Sequence, residues 1–390
     1  MKKSSAESAS YAALGASSAK AGILNAIGES ETSRYFASPT EDPSGDPSYA
    51  YFLHADGAGT KSIVAYLLYR ETGDVFWFRS LAIDSLVMNL DDLACSGAVD
   101  GLVLSNTIGR NRHLVPDAAV AEIIQGYSDT ATSLRKYGIA ITMAGGETAD
   151  VGDLVRTLIV DSTVSARIPR KKLVDAYRVS AGDVIVGFSS TGQSTLEQKP
   201  NSGIGSNGLT LARNTLLSRY HVDKYPEVSD PCTPAHLGYA GDFKVTDSHT
   251  DIGMTIGEAL LSPTRPYTPL VKALLESFHD HVHSLVHCTG GGQTKIKRFG
   301  KNVSFIKDDL FPVPPIFSLI QSTGNIPWHE MYAVFNMGHR LEACVTAEVT
   351  PDVISLAGQF GIAAKVIGRV TSHEGGNEVV IRSPHGDFVY

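Results

Sequence analysis

The segment His54-Ala55-Asp56-Gly57-Ala58-Gly59-Thr60-Lys61 gathers a carboxylate, two glycines, a hydroxyl and an ammonium in one short stretch. Glycine has no Cβ and tolerates positive φ, so its backbone can approach a phosphate closely. Asp56 offers the hard oxygen that Mg²⁺ takes, while Thr60 and Lys61 add a hydroxyl donor and a cation. The pattern points to a metal–phosphate site between a strand and a helix, although the same loop also serves as a tight turn. Further carboxylates follow at Asp84, Asp91 and Asp92. On a helix, residues seven apart fall on nearly one line, so Asp84 and Asp91 align and Asp92 lies about 80° away from Asp84. Glu147 follows the pair Gly145-Gly146 at an expected strand end, where functional loops of α/β proteins gather. Mg²⁺ takes one or two carboxylates plus phosphate and water, and Asp56, Asp84, Asp91 or Asp92, and Glu147 supply enough of them. Taken singly, each of these acids is also an ordinary capping or surface residue.

The second half carries two more glycine loops. Thr289-Gly290-Gly291-Gly292 and Gly203-Ile204-Gly205-Ser206-Asn207-Gly208 each precede an expected helix, whose unpaired N–H groups can hold an anion. Near the C-terminus, His329-Glu330-Met331-Tyr332 and Phe335-Asn336 form a dense polar and aromatic patch. His329 has the near-neutral titration of a general acid or base, and Asn336 can bond a nucleotide base or ligate a metal. His279, His281, His283 and His287 cluster where a helix meets a strand. We read them as a solvated junction followed by a sheet face, not as a metal site.

These residues need elements to hold them. The chain reads as a helix over 10–28, a proline-rich loop over 37–48, a strand into Asp56 and a helix over 60–70. The spacing of Ile83, Leu86, Val87, Leu90 and Leu93 predicts a helix over 80–97. A short strand at 102–104, a helix over 116–136, a buried strand at 139–143 and a strand over 154–165 complete the first half. A polar break at 168–172 separates the halves. The second half reads as a strand at 183–188, a Ser/Gly-rich loop over 189–206 and a helix from 207. A helix over 263–278 and a strand at 282–288 come next, then a helix near 314–322. A strand at 341–345, a helix over 351–360 and strands at 364–370 and 378–381 close the chain. Alternating strands and helices define an α/β or α+β protein.

With 390 residues, the chain has room for two substantial cores. The net charge of −8, with no basic block, argues against nucleic-acid binding. Four scattered cysteines without a CxxC pair argue against zinc or a disulfide framework. No run approaches membrane-spanning length and no apolar signal region follows Lys2-Lys3, so the expectation is a soluble, cytoplasmic protein with no membrane partner.

Together these motifs resemble the aminoimidazole ribonucleotide (AIR) synthetase family, also called phosphoribosylformylglycinamidine cyclo-ligases. Asp56 to Lys61 is similar to the family's DGVGTK, and Ile83-Asp84 with Asp91-Asp92-Leu93 and Gly97-Ala98 to its ID…NDL…GA helix. Gly145 to Ala149 matches GGETA, and Gly182-Asp183-Val184 and Ser206-Asn207-Gly208 match the start of its second domain. Pro263-Thr264-Arg265 with Tyr267 matches PTRxY, Thr289 to Gly292 matches TGGG, and His329 to Asn336 matches HEMYxxFN. The resemblance implies a two-domain AIR-synthetase-like fold. Residues 1–170 would be an N-terminal ATP- and metal-binding domain, pairing with its twin in a homodimer through a dimeric sheet or barrel. Residues 171–390 would be a C-terminal α/β domain.

It also implies ATP-dependent ring closure of formylglycinamidine ribonucleotide, giving an imidazole, ADP and phosphate, with ATP and Mg²⁺ as cofactors. Alternatives are another ATP-dependent superfamily member, of the selenophosphate synthetase or thiamine monophosphate kinase type, and a non-catalytic nucleotide-binding paralogue. On this reading Asp56, Asp84, Asp92 and Glu147 hold Mg²⁺; Gly57, Gly59, Thr60, Lys61 and Asn336 bind ATP. Ser206, Asn207, Gly208, Thr289, Gly290, Gly291 and Gly292 bind a small nucleotide substrate, and Lys61, Asp92 and His329 are the catalytic set. The sequence departs from the family where NDL reads Asp91-Asp92-Leu93, where PHSNG lacks its histidine, and where residues 193–204 are extra. Residues 35–48 are also proline-rich where the family carries a glycine-rich loop.

Overall fold

The computed structural model describes residues 10–14, 16 and 33–390. The helix expected over 10–28 lies outside the described residues, apart from a turn at 11–14.

The first sheet grows from β1 (Thr40–Glu41) and β2 (Tyr49–Gly57). The chain then forms α1 (Lys61–Thr72), α2 (Arg79–Ala94), β3 (Leu102–Arg110), α3 (Asp117–Arg135), β4 (Ile141–Asp150) and β5 (Leu158–Pro169). The strand order is β1-β2-β5-β3-β4, antiparallel except for the β3–β4 pair. It is an open sheet, with helices against one face. Alternation fixes that face: Ala50 and Phe52 of β2 and Val160 and Val164 of β5 are buried, whereas Leu53 of β2 and Ile159 of β5 are exposed. α2 differs from an ordinary surface helix. All of it except Arg79, Ser80 and Ile83 is buried, its aspartates included, because it lies between the first sheet and the second half of the chain.

The second half opens with β6 (Val184–Ser189), α4 (Leu209–Leu216), α5 (Tyr220–Lys224), β7 (Ser248–His249), β8 (Met254–Thr255) and α6 (Ile256–Leu261). It continues through α7 (Thr268–Phe278), β9 (Val282–His287), β10 (Val303–Lys307), α8 (Pro315–Gly324) and α9 (Trp328–Val334). β11 (His339–Val345), α10 (Thr350–Gln359), β12 (Ala364–Ser372), β13 (Glu378–Ser383) and β14 (Gly386–Val389) end the chain. The sheet order is β14-β13-β10-β12-β6-β11-β9, and β11 is buried along its whole length.

Three sequence expectations change. The strand at 102–104 runs on to Arg110, because polar Ser105, Asn106 and Thr107 break the apolar pattern but not the ladder to β5. The buried strand at 139–143 is instead the exposed edge strand β4, and Gly145, Gly146 and Glu147 lie within it, not after it. The helix over 263–278 begins at Thr268; Pro266 keeps residue 265 extended and lacks the N–H that a helix interior needs.

Candidate functional site

Two carboxylate clusters come from the single helix α2. On one face, the Asp84 carboxylate is fully buried and meets the Lys61 ammonium, the first residue of α1, at 2.8 Å. The same Oδ1 accepts the Thr264 backbone N–H at 2.8 Å, the Thr264 hydroxyl at 2.6 Å and the Ser206 hydroxyl at 3.0 Å. Lys61 Nζ also donates to the Ser262 carbonyl. One turn pair further on, Asp91 accepts the backbone N–H groups of Tyr267 and Thr268 at 3.0 and 2.9 Å, and the Thr268 hydroxyl at 2.9 Å. The alignment of Asp84 and Asp91 read from the sequence is therefore real. Its target is the segment Ser262–Thr268, which both acids bind to the first domain. Asp91 caps α7, where a negative charge meets the positive end of the helix. Burial raises Asp91 to about 7, despite Arg340 and the Thr268 bonds. Burial likewise lowers the Lys61 ammonium from its ordinary range, against the pull of Asp84.

Asp92 faces the other way. Its Oδ1 lies 2.7 Å from His287 Nδ1, and its Oδ2 lies 3.4 Å from His54 Nε2. His54 is held in turn by Asn89, 2.9 Å from its Nδ1. Burial opposes ionisation of Asp92, but Lys295, His287 and His54 together hold it well below the usual carboxylate range. Asp56 moves the opposite way: burial and the neighbouring Asp92 charge both raise it. Asp92 and His54 line a cleft of about 720 Å³, whose other walls include Arg34, Phe36, Arg170, Lys295, Arg298 and Phe299.

The donor chemistry around Asp56 and Asp92 fits Mg²⁺. Among the described residues no group of three or more His, Cys, Asp or Glu side chains could hold a metal on protein ligands alone. Two acids that feel each other's charge supply the one or two carboxylates Mg²⁺ takes when phosphates complete its shell. The other two expected ligands are placed differently. Asp84 has a cation on it already and no exposure, although its Oδ2 has no hydrogen-bond partner among the described residues. Glu147 is exposed on β4, in the row Gly57–Asp161–Thr107–Glu147 that crosses the outer sheet face. Three strand spacings, about 14 Å, separate the two ends of that row.

The turn into α1 is shaped by glycine. Gly59 has φ +57, and a Cβ on Gly57 would lie 1.7 Å from an Asp161 carboxylate oxygen. Thr60 is exposed, with its hydroxyl 3.0 Å from that of Thr210 on α4. The start of α1 and the start of α4, preceded by Ser206, Asn207 and Gly208, therefore meet at one place. Lys61 itself is turned inward. In the 289–292 loop, Thr289 Oγ1 accepts from Lys295 Nζ at 2.5 Å, and a Cβ on Gly292 would lie 2.6 Å from the carbonyls of Tyr332 and Phe335. Gly291 has φ +97, and Gly290 approaches Asn207.

Asn336 is buried and spent on the backbone. Its Nδ2 donates to the Gly203 carbonyl at 2.7 Å, and its Oδ1 accepts from Ser190 Oγ at 2.9 Å and from the Gly338 N–H at 3.0 Å. It shapes the 203–208 loop instead of facing the cleft. His329 is exposed on α9; its ring stacks on Tyr390 at 4.4 Å, and its carbonyl accepts the Tyr390 hydroxyl. The structure does not bring His329 to Lys61 or Asp92. The extra residues 193–204 are built into the seam, where Glu197 holds the buried Arg265 guanidinium at 2.7 Å.

Sequence reasoning gave His54 no role, read His287 within a solvated junction followed by a sheet face, and did not single out Lys295 or Asp161. The His287 ring lies in β9, on the expected sheet face, but that face is closed: the ring is fully buried against Asp92, and burial and Arg340 lower it to about 4. His281 and His283 behave as expected of that junction, bonding Thr346 and Asp183. The signal available for His287 was its place at the end of β9, immediately before the glycine loop.

The fold and site define a two-domain α/β protein in which one helix sends carboxylates both to a seam beside the glycine turn and to a cleft walled by His54, Asp92 and Lys295. Residues 42–168 match the N-terminal domain, and residues 180–381 the C-terminal domain, of AIR synthase related proteins. The chain belongs to that family. The phosphoribosylformylglycinamidine cyclo-ligase of Methanocaldococcus jannaschii is 34% identical over 338 residues, spanning 85% of this chain and 82% of that one. The enzyme of the same name from Thermococcus kodakarensis is 33% identical over 313 residues, spanning 78% and 74%. These names favour the cyclo-ligase reading over the other superfamily readings. Among solved structures, T. maritima PurL complexed with FGAR superposes with TM-score 0.53 at 15% identity, over 87% of this chain and 45% of that one. Thiamine-monophosphate kinase from Stenotrophomonas maltophilia K279a gives 0.52 at 16% identity, over 85% of both chains. Both share the fold; this chain spans less than half the length of PurL.

Proposed function

We propose that the protein closes the imidazole ring of formylglycinamidine ribonucleotide at the expense of ATP, in purine biosynthesis. The observation that carries the reading is the 34% identity to a cyclo-ligase along most of both chains. The formyl amide oxygen attacks the γ-phosphorus and releases ADP. A substrate nitrogen then attacks the activated carbon, phosphate leaves with the former formyl oxygen, and a proton is lost as the ring forms. Such a reaction asks the protein mainly for positioning and charge neutralisation.

Asp56 and Asp92 would hold Mg²⁺, which would neutralise charge on the polyphosphate; Glu147, about 14 Å across the outer sheet face from Gly57, stands apart from that pair. The N–H groups of Gly59 and Thr60 and the start of α1 bind the phosphates of ATP, next to Gly57. Lys61 acts through Asp84, fixing that turn against the second domain. Ser206, Asn207 and Gly208, with Thr289 to Gly292, bound the substrate pocket. Support for Asp92 as a catalytic residue is its place on the cleft wall between two histidines.

Residues 1–170 serve as the nucleotide-binding and dimerisation domain and residues 171–390 as its cover, in a cytoplasmic homodimer. The support for pairing is the outer face of the first sheet, where Leu53 is 68% exposed and Val103 and Ile159 are about as open as each other, at 39% and 40%. No helix among the described residues is long and apolar enough to cross a membrane. The test is incubation with formylglycinamidine ribonucleotide and Mg-ATP, following ADP and the imidazole product. ADP formed in step with imidazole supports the reading; ATP bound without turnover overturns it.

A further inference from the structure

The second sheet carries a buried ionic cluster apart from both the cleft and the seam. Lys307 ends β10, and His339 and Glu342 stand on β11; all three side chains are closed to solvent. Lys307 Nζ donates to Glu342 Oε1, and His339 Nε2 lies 2.8 Å from that same oxygen. The strands beside them leave room for the cluster. Gly368 of β12 pairs with Lys307, Gly187 of β6 pairs with Glu342, and a Cβ on Gly187 would lie 3.2 Å from the His339 ring. Burial opposes ionisation of Glu342, yet Lys307 and His339 hold it below the usual carboxylate range. A buried ion pair adds little stability over apolar side chains of the same shape, since desolvation offsets the attraction. What this one supplies is direction, and the direction leads to the glycine loops. Lys307 Nζ also donates to the Gln293 carbonyl at 2.6 Å and to Gln293 Oε1 at 3.3 Å. Gln293 is buried immediately after Gly292, and its Nε2 donates to the Asn336 carbonyl and, at 3.1 Å, to the His339 carbonyl. Asn336 in turn holds the Gly203 carbonyl at 2.7 Å. A chain of direct bonds therefore runs from Glu342 through Lys307 and Gln293 to both loops, Thr289–Gly292 and Gly203–Gly208. The loops approach each other where a Cβ on Gly290 would lie 3.8 Å from Asn207 Nδ2.

We propose that Lys307, Glu342 and Gln293 are positioning residues that set the two glycine loops in register for the ribonucleotide substrate. They act through the backbone of the loops and through Asn336, not by contact with the substrate. The buried pair fixes one arrangement of Gln293, and Gln293 fixes the 289–292 loop against the start of β11. A loop displaced by about 1 Å can cost a hundredfold in rate, so a network remote from the reacting atoms still governs turnover. The proposal deepens the cyclo-ligase reading and rests on it for the identity of the substrate. The register of the loops belongs to the protein alone, so the two can fail separately.

The test uses full-length protein carrying Gln293→Leu, Lys307→Met, or the charge-free pair Lys307→Met with Glu342→Gln. Lys307→Met leaves the Glu342 charge buried and unmatched and should lower the thermal midpoint; adding Glu342→Gln should restore it toward wild type. Activity should not recover with it. In the folded pair variant and in Gln293→Leu, kcat/KM for formylglycinamidine ribonucleotide should fall by about ten- to a hundredfold, with the ATP KM unchanged. Adding Gln293→Leu to the pair should cost little more, since all three residues act along one chain of bonds. If the pair variant fails to fold, Gln293→Leu carries the same kinetic test. Amide hydrogen exchange gives a readout independent of turnover. The Gly292 N–H, bonded to the Thr289 carbonyl at 2.8 Å, and the Gly203 N–H, bonded to Asn201 Oδ1 at 2.9 Å, should exchange as slowly as β11 in wild type. In the variants both should exchange faster while β9 and β12 keep their protection. Wild-type kcat/KM in a folded pair variant or in Gln293→Leu overturns the proposal. Fast exchange of both glycines in wild type overturns it too, as does a loss of protection spread evenly over both domains. The stated exchange pattern in a protein that turns over no formylglycinamidine ribonucleotide supports the network and sinks the cyclo-ligase reading.

Discussion

Asp91 and Asp92 are neighbours on one helix, yet they belong to different machines. Asp91, with Asp84 before it, faces the seam between the two domains, and its near oxygen accepts two backbone N–H groups and a hydroxyl from the start of α7. Asp92 faces a cleft, between two imidazoles and near an ammonium. The seam acids are enclosed and bonded through one oxygen or both, Asp84 Oδ2 alone lacking a partner among the described residues; they fix one domain against the other. The cleft acid keeps a side toward open volume and a strongly favoured charge. The same side chain becomes structural or chemical according to the 100° that separates consecutive helical residues.

The seam should yield the largest stability effects. Asp84→Asn leaves the buried Lys61 ammonium without its counter-charge and should lower unfolding free energy by about 3–5 kcal/mol in denaturant titration. Adding Lys61→Met should recover part of that loss. If Asp84→Asn unfolds like wild type, the seam does not hold the domains as described.

Acid unfolding should separate the two clusters. Burial and Arg340 hold His287 at about 4, below the ordinary 6.5. Between those values the unfolded chain binds a proton that the folded chain refuses, so this group's contribution to stability falls as pH drops, by on the order of 3 kcal/mol in total. Asp91, raised to about 7, has the opposite sign: the folded chain holds a proton there that the unfolded chain releases above about 4. Unfolding midpoints from pH 7 to pH 4 should therefore fall less steeply in His287→Phe than in wild type, and more steeply in Asp91→Asn. Equal slopes in all three would erase the distinction.

Smaller effects follow at the turn and in the seam. Gly57→Ala must displace the Asp161 carboxylate and meets the Val160 carbonyl at 2.8 Å, so it should cost about 1–3 kcal/mol and raise the ATP KM. Asp91→Asn at neutral pH keeps an acceptor for the α7 amides and should change stability by no more than about 1 kcal/mol.

The sequence made the local geometry readable and left the distant partners hidden. The glycine turn at Asp56–Lys61 announced itself because an extended apolar run stops there and a helix begins. The shared line of Asp84 and Asp91 followed from helical repeat alone. What faced that line did not, since Thr264 lies 180 residues from Asp84. His287 was lost among neighbouring histidines, because alternate spacing in a strand cannot tell a solvated face from one closed by α2. Glu147 was placed at a strand end because a glycine pair reads as a turn, yet an exposed edge strand tolerates one. Asn336 and His329 came with the motif, and only packing shows one spent on a loop and the other stacked under the last strand.

The most direct measurement is steady-state turnover of Asp92→Asn with formylglycinamidine ribonucleotide and Mg-ATP, alongside its unfolding midpoint. The account predicts a lowered midpoint, since the favoured Asp92 charge is lost, and, in the protein that stays folded, a fall in kcat of about a thousandfold, the scale expected when a charge at the reacting centre is removed. A folded Asp92→Asn that forms ADP and imidazole at the wild-type rate would contradict it.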